Sequence, residues 1–163
     1  MSVKKIILFR HGESDWETDN GNDHERPLVN SGIAAAEKMG RYLTQANEIP
    51  DYVISSTALR ARTTAESAMD VGGWSCPMVL ESGIYGGNPQ FLLNLIKNQD
   101  DTLSSICLVG HEPNFSSFIS QSTDSNKIHF PTASMAKIEY KIDFWREVSM
   151  GFGILDWVVK PWY

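Results

Sequence analysis

The sequence predicts an α/β fold in three layers, with a mostly parallel central sheet and helices on both faces. Short apolar runs alternate along the chain with longer segments of helical periodicity. Several of the apolar runs end abruptly in glycine, histidine or arginine, as parallel strands do where they reach a ligand-binding edge. The last third carries two strand-like segments with few helix signals, so a terminal strand pair is expected to complete the sheet.

The first half of the chain predicts two strands, each followed by a helix. Residues 3–9 are predicted to form a strand buried on both faces, because its apolar core at residues 6–9 is continuous. Residues 13–26 form a polar loop of unusual length, and long ordered loops in compact domains tend to be functional. Ser31 is expected to cap the next helix, in which one face is shared by Ile33, Ala36, Gly40 and Leu43. A second strand is expected at 51–55, with an alanine- and arginine-rich helix at 58–69.

The second half predicts further helices and the end of the sheet. Gly72 and Gly73 are expected to end the second helix. The remaining elements are expected to be a short strand at 77–80, a turn at 85–89, a helix from Pro89, a strand at 105–109, a helix at 113–121, and strands at 133–142 and 147–159. The last of these strands is expected to be interrupted by Gly151 and Gly153. The chain shows no repeat, linker or low-complexity segment, so one domain covering residues 1–163 is expected.

Composition and charge restrict the classes of function. The chain has 163 residues, 42% hydrophobic and 21% charged, which is typical of a soluble globular protein. The net charge of −6 argues against a nucleic-acid partner, so an anionic ligand must be held by a local arginine cluster. The N-terminal apolar run is too short for a signal peptide or membrane span. Cys76 and Cys107 indicate neither a disulfide nor a metal site, so we expect a reduced, cytoplasmic protein.

A cation, an imidazole and a glycine directly follow the first predicted strand. Arg10 and His11 are expected at the ligand-binding edge of the sheet, and Gly12 allows the backbone to turn away from them. This places a potential nucleophile beside a fixed positive charge, as attack on a phosphoryl group requires. His11 must be neutral to attack, and nearby arginines disfavour its charged form. Its other ring nitrogen needs an acceptor, such as a backbone carbonyl, to fix the tautomer.

Three further segments carry histidine or arginine into predicted loops. Arg26 lies in the long first loop, Arg60 and Arg62 follow the second predicted strand, and His111 follows the strand at 105–109. Guanidinium groups match phosphoryl oxygens bidentately and keep their charge. Side chains from separate loops can therefore converge on one phosphoryl group. The candidates are two histidines, His11 and His111, and up to four arginines, Arg10, Arg26, Arg60 and Arg62.

Five stretches of the sequence are similar to the motifs of a known family. In chain order they are LFRHGESDW, RPLVNSG, SSTALRARTTAE, LVGHEPNFS and FPTASMAKIEY. On these stretches the chain resembles the histidine phosphatase superfamily, in its short branch of SixA-type phosphohistidine phosphatases. The resemblance implies a phosphoglycerate-mutase-like fold and hydrolysis through a covalent phosphohistidine on His11. It also implies that no metal or organic cofactor is used, and that the substrate is protein phosphohistidine.

The resemblance implies roles for individual residues. The catalytic residues are expected to be Arg10, His11, Arg60 and His111, with Arg26 and Gly12 in substrate binding. Arg60 matches the family's arginine in its Leu-Arg-Ala register, whereas Arg62 falls where members vary and is expected at the rim. His24 and His129 have no comparable context and are expected to be ordinary loop or surface histidines.

A general acid is not clearly marked. Glu81 is the only carboxylate where superfamily members acting on phosphomonoesters have a glutamate, but residues 80–83 do not match that pattern. Glu13 and Asp15 are the other candidates. The departure favours phosphoramidates, because their N–P bond is weaker and an imidazole leaves with modest proton help. The partner is thus a phosphorylated protein or a small phosphorylated molecule. The alternatives to a phosphohistidine phosphatase are a small-molecule phosphomonoesterase of the same superfamily and a non-catalytic phosphate-binding or interaction module.

Overall fold

A six-stranded sheet organises the chain in the computed structural model, which describes residues 2–16 and 22–162. The strands are β1 (Lys4–Arg10), β2 (Tyr52–Ser55), β3 (Met78–Leu80), β4 (Ser105–Gly110), β5 (Met135–Tyr140) and β6 (Ile154–Val159). The helices are α1 (Asn30–Gln45), α2 (Leu59–Gly72), α3 (Gly83–Gly86), α4 (Pro89–Lys97) and α5 (Asn114–Thr123). Two 3-10 turns cover Asp23–Glu25 and Trp145–Glu147.

The strand order is β3-β2-β4-β1-β5-β6. The pairs β3–β2, β2–β4 and β4–β1 are parallel, whereas β5 runs antiparallel to both β1 and β6. The expected α/β architecture with a mostly parallel sheet is therefore confirmed. Because β1 and β4 pair in parallel with Arg10 opposite Gly110, the residues that follow these two strands lie side by side.

The sheet is covered by helices on both faces, which explains the continuous apolar run of β1. Ile6 and Leu8 point to one face, where they join a core that includes Leu92 of α4 and Phe115 and Phe118 of α5. Ile7 and Phe9 point to the other face, where their neighbours include Ala36, Met39, Leu43, Ala61 and Ala65 of α1 and α2. Successive strand residues face opposite sides, so a strand covered on both sides must be apolar throughout.

The structure corrects several expected elements. The strand expected at 147–159 with an interruption at Gly151 and Gly153 is shorter than predicted: its first residue ends the 3-10 turn Trp145–Glu147, Gly151 takes a positive φ of 89°, and the strand covers only Ile154–Val159. The first two residues of the turn expected at 85–89 belong instead to the short helix α3 (Gly83–Gly86).

The start of α1 also differs from the prediction. The helix has Val29 at its N-cap, without a side-chain cap, and Ser31 lies inside its first turn. The Ser31 hydroxyl instead donates to Oε2 of Glu13 at 3.1 Å, so it joins the helix to the loop after β1.

No helix in residues 2–16 and 22–162 combines the length and apolar character needed to cross a bilayer.

Candidate active site

A polar cavity of about 300 Å³ opens beyond the carboxyl ends of β1 and β4. It is lined by Arg10, His11, Glu13, Ser14, Trp16, Asp23, Arg26, Arg60, His111, Glu112 and Thr132. Of the histidines and arginines that the sequence marked as candidates, all except Arg62 belong to this lining. Two other cavities have similar volumes of about 290 and 310 Å³, but neither is lined by histidine or arginine. Chemistry, and not size, therefore selects the first cavity as the candidate site.

Gly12 lies behind this cavity and does not line it. A Cβ on Gly12 would stand 2.6 Å from the carbonyl oxygen of Gly32, so a side chain at this position would collide with the start of α1. The Gly12 N–H donates to Oγ1 of Thr64 at 3.0 Å, and that hydroxyl donates to the carbonyl of Arg60 at 2.7 Å. Gly12 thus connects the end of β1 to both helices on one face of the sheet.

The His11 imidazole is buried, with 7% of the residue exposed, and its tautomer is fixed by the backbone. Nδ1 lies 2.6 Å from the carbonyl oxygen of Gly12. Because a carbonyl only accepts hydrogen bonds, the hydrogen is on Nδ1 and Nε2 carries the lone pair. Burial, aided by His111, Arg60 and Arg10, lowers the pKa of His11 to about 3 against the opposing effect of the Gly12 hydrogen bond. The ring is therefore neutral near pH 7.

His111 faces His11 across the site. The two ring centroids are 5.3 Å apart, with the planes tilted by 55°. Nε2 of His111 lies 2.8 Å from Oγ of Ser56, which already accepts the N–H of Ala58. The Ser56 hydrogen is therefore free to bond Nε2, and we assign the ring hydrogen to Nδ1. Burial, aided by Arg60, lowers the pKa of His111 to about 4.

The three arginines of the cavity are held mainly by loop carbonyls and by Asp23. Arg10 donates through Nη1 to the carbonyl of Phe130 at 3.1 Å. Arg60 donates through Nη1 to the Asp23 carbonyl at 2.9 Å and through Nη2 to its carboxylate at 3.2 Å. Arg26 donates through Nε to the same carboxylate at 3.2 Å and through Nη1 to Ser14.

Three buried nitrogens of the cavity residues have no hydrogen-bond partner within the described parts of the chain. They are Nε of Arg10, Nε of Arg60 and Nδ1 of His111. Buried donors without a partner are unfavourable, unless a ligand satisfies them. The side chains that carry these nitrogens line the cavity together with His11, and guanidinium and imidazole N–H groups suit the oxygens of a bound phosphoryl group.

Asp23, Tyr85 and Trp16 belong to the site although the sequence analysis did not select them. The Tyr85 hydroxyl donates to Oδ2 of Asp23 at 2.7 Å. This hydrogen bond, with Arg60 and Arg26, lowers the pKa of Asp23 to about 2. The exposed Trp16 ring stacks on the Arg26 guanidinium, with 3.6 Å from the guanidinium carbon to the ring centroid. The long polar loop was the available signal for Asp23 and Trp16, and nothing in the sequence marked Tyr85.

The carboxylates considered as general acids lie in different places. Glu81 is not part of the cavity lining, and its carboxylate accepts the N–H of Gly83 at 3.2 Å. Asp15 is likewise absent from the lining, whereas Glu13 is present. Glu112 also lines the cavity and accepts the N–H of Ser116 at 2.6 Å, near the start of α5.

The remaining cations and histidines lie outside the lining. Arg62 faces Glu25 at 4.0 Å with a third of its side chain exposed, in keeping with the rim position expected for it. His24 adjoins the site: its Nε2 lies 2.9 Å from Oγ1 of Thr57, and its ring meets Tyr85 edge to face. His129 is exposed. Within residues 2–16 and 22–162, no three histidine, cysteine, aspartate or glutamate side chains are grouped as metal ligands.

Sequence comparison relates the chain to one protein family and to several known proteins. Residues 6–84 match the family model described as the histidine phosphatase superfamily, branch 1. An uncharacterized chloroplastic protein of Arabidopsis thaliana is 27% identical over 96% of this chain and 76% of its own length. An uncharacterized protein of Mycobacterium tuberculosis is 33% identical over 64% of this chain, which spans 63% of that relative. A 2,3-bisphosphoglycerate-dependent phosphoglycerate mutase of Mycobacterium leprae is 39% identical, but the match covers 42% of this chain and 29% of the mutase.

Solved structures share the fold over nearly the whole chain. The proposed phosphohistidine phosphatase SixA of Nakamurella multipartitia has a TM-score of 0.87 at 22% identity, covering 100% of this chain and 99% of its own. The protein histidine phosphatase SixA in complex with tungstate has a TM-score of 0.84 at 18% identity, covering 96% and 97%. These likenesses establish a phosphoglycerate-mutase-like fold. The match of residues 6–84 to the histidine phosphatase family model agrees with the resemblance that the motifs predicted.

Proposed function

We propose that the protein is a phosphatase that transfers a phosphoryl group from its substrate to Nε2 of His11 and then to water. The observation that carries the proposal is the state of the His11 ring, which is buried, neutral and held by Gly12 so that Nε2 keeps its lone pair. The side chains of Arg10, Arg60 and His111 line the same cavity. A nucleophile beside fixed donors is the arrangement that phosphoryl transfer through a covalent intermediate requires.

The reaction divides into two displacements at phosphorus. In the first, the lone pair of His11 Nε2 forms the N–P bond while the leaving group departs with the electrons of its own bond. In the second, water attacks the same phosphorus, the electrons of the N–P bond return to Nε2, and the departing phosphate carries the water oxygen together with both of its hydrogens. The guanidinium groups and His111 offset the charge on the equatorial oxygens in both steps. Because Nδ1 keeps its hydrogen throughout, His11 leaves the second step as a neutral ring.

We further propose protein phosphohistidine as the substrate. Asp23 has a pKa of about 2 and holds no proton to donate near pH 7, while Glu81 is not part of the cavity lining. A phosphohistidine ring that is protonated on the nitrogen away from phosphorus leaves as neutral imidazole and needs no acid from the enzyme. The SixA proteins that share this fold are named as phosphohistidine phosphatases, which supports the same substrate class.

One observation favours small phosphomonoesters as a second candidate substrate class. Glu13 and Glu112 both contribute to the cavity lining, and a carboxylic acid in either place would protonate an alkoxide leaving group. The two substrate classes make different demands on these residues, so they are separable by experiment.

Trapping the intermediate tests the mechanism. Rapid quenching during turnover of a labelled substrate should give an acid-labile, base-stable phosphoryl adduct on His11. His11→Ala should abolish both the adduct and the hydrolysis. His129→Gln provides the matched control, because it removes an exposed histidine and should leave both unchanged. Near-normal hydrolysis by His11→Ala would show that the mechanism is wrong.

A panel of leaving groups tests the substrate. We expect kcat/KM to be highest for a phosphohistidine peptide, lower for an aryl phosphate and lowest for an alkyl phosphate, since missing proton assistance costs about 10²–10⁴ in rate. Glu13→Gln and Glu112→Gln should not change this order, and Glu81→Gln serves as the control outside the cavity lining. Efficient alkyl phosphate turnover that disappears in either cavity variant would instead identify a phosphomonoesterase.

A further inference from the structure

Asp23 is the carboxylate that contacts the arginines of the candidate site directly. Its two oxygens accept hydrogen bonds from Arg26, Arg60 and Tyr85 at 3.2, 3.2 and 2.7 Å. It is also part of the cavity lining, so it shares with any bound phosphoryl group the space in front of two guanidinium groups. Half of its side chain is exposed, which leaves the carboxylate accessible from the cavity mouth.

The charges around the cavity cancel before any substrate binds. Its lining contains three arginines, and its three carboxylates are Glu13, Asp23 and Glu112. The two histidines are neutral near pH 7 because burial lowers the pKa of each. Glu13 accepts from the hydroxyl of Ser31 and Glu112 from a backbone N–H, so only Asp23 is hydrogen-bonded to the cavity arginines within the described residues.

We propose that Asp23 is a specificity-determining residue that selects phosphoryl groups with a cationic leaving group. Its carboxylate competes with the phosphoryl oxygens for Arg26 and Arg60, and it attracts a positive charge on the departing group. The inference deepens the proposed function and rests on it for the identity of the substrate. The same selection by Asp23 would apply to any phosphoramidate whose leaving group is protonated.

The chemistry of the leaving group explains the selection. A phosphohistidine ring protonated on its distal nitrogen is a cation. When the N–P bond breaks, its electrons pass to the ring nitrogen, and the ring departs as neutral imidazole. A nearby carboxylate stabilises the protonated reactant form and thereby raises its population at neutral pH. An aryl or alkyl phosphate dianion carries no compensating cation, so the same carboxylate opposes its binding.

Phosphate binding tests the competition without relying on turnover. Asp23→Asn removes the charge and keeps nearly the same shape, so Kd for inorganic phosphate should fall about tenfold, as for loss of one partly screened charge near the anion. Titration calorimetry on the folded protein measures it. Glu25→Gln is the matched control, because it removes one charge from the same 3-10 turn at similar exposure but outside the cavity lining. Its Kd should stay within about twofold of the wild type, the scale of an exposed charge.

Turnover tests the selection itself. In Asp23→Asn, the ratio of kcat/KM for a phosphohistidine peptide to that for an aryl phosphate should fall about tenfold. Asp23→Ser, a smaller uncharged side chain, should shift both measurements in the same direction and covers the case in which Asp23→Asn does not fold.

The two measurements separate the possible failures. An unchanged or raised Kd for phosphate would mean that Asp23 only holds the arginines in place, and an unchanged ratio would refute the selection. If wild-type protein hydrolysed the aryl phosphate but not the peptide, the proposed substrate would be wrong, whereas the phosphate titration would still decide the competition at Asp23.

Discussion

The two buried histidines are expected to make the protein less stable in mild acid. Burial lowers the pKa of His11 to about 3 and of His111 to about 4. In the unfolded chain a histidine has a pKa of about 6.5. Between these values the unfolded state binds protons that the folded state does not, so the free energy of unfolding falls as the pH falls.

The size of the effect follows from the difference between the histidine pKa values in the folded and unfolded states. At about pH 5 both folded rings are still neutral, whereas both unfolded rings are almost fully protonated. Each ring then lowers the free energy of unfolding by about 2 kcal/mol relative to pH 7.5, because one pH unit below the unfolded pKa is worth about 1.4 kcal/mol. The pair together lowers it by about 4 kcal/mol. The loss stops growing once the pH is below the folded values.

Urea unfolding at pH 7.5 and pH 5.0 in phosphate-free buffer measures this loss. His11→Asn keeps a donor for the Gly12 carbonyl but cannot titrate, so its difference between the two pH values should be smaller than that of the wild type by about 2 kcal/mol. His129→Gln, which alters an exposed histidine, should reproduce the wild-type difference. If His11→Asn also shows the wild-type difference, His11 is not a neutral buried base and the argument for its reactivity fails.

Four further substitutions have defined outcomes. Arg60→Ala should lower kcat/KM at least about 10²-fold, as loss of a preorganised donor does, while Arg62→Ala at the rim should stay within about tenfold; the reverse order in steady-state assays would exchange their roles. Gly12→Ala places a Cβ 2.6 Å from the Gly32 carbonyl, so it should lower both Tm and activity, and wild-type values for both would refute the close approach. Phe118→Ala should lower the free energy of unfolding by about 3–5 kcal/mol in urea titration, since the side chain is fully buried, and a loss below about 1 kcal/mol would contradict that packing.

The sequence by itself determined the sheet and the position of the main site residues. The apolar run of β1 is continuous because both faces of the strand are covered, and that pattern is visible without coordinates. Polar residues placed directly after β1 and β4 meet at one edge because the strands are parallel neighbours, so Arg10, His11 and His111 were predictable. The family motifs favoured Arg60 over Arg62, and of the two only Arg60 is in the cavity lining, together with Arg26.

Only the tertiary structure decided which carboxylates balance the charge of the arginines in the site. Asp23 and Tyr85 are 62 positions apart, and their hydrogen bond depends on how the loop after β1 folds back over α2 and α3. The same folding determines which carboxylates line the cavity, so it excluded Glu81 and included Glu112. Hydrophobic periodicity and the ends of strands depend on neighbouring residues, so a short stretch of sequence is enough to predict them. Contacts between distant loops arise from the packing of the whole chain, and no short pattern in the sequence encodes them.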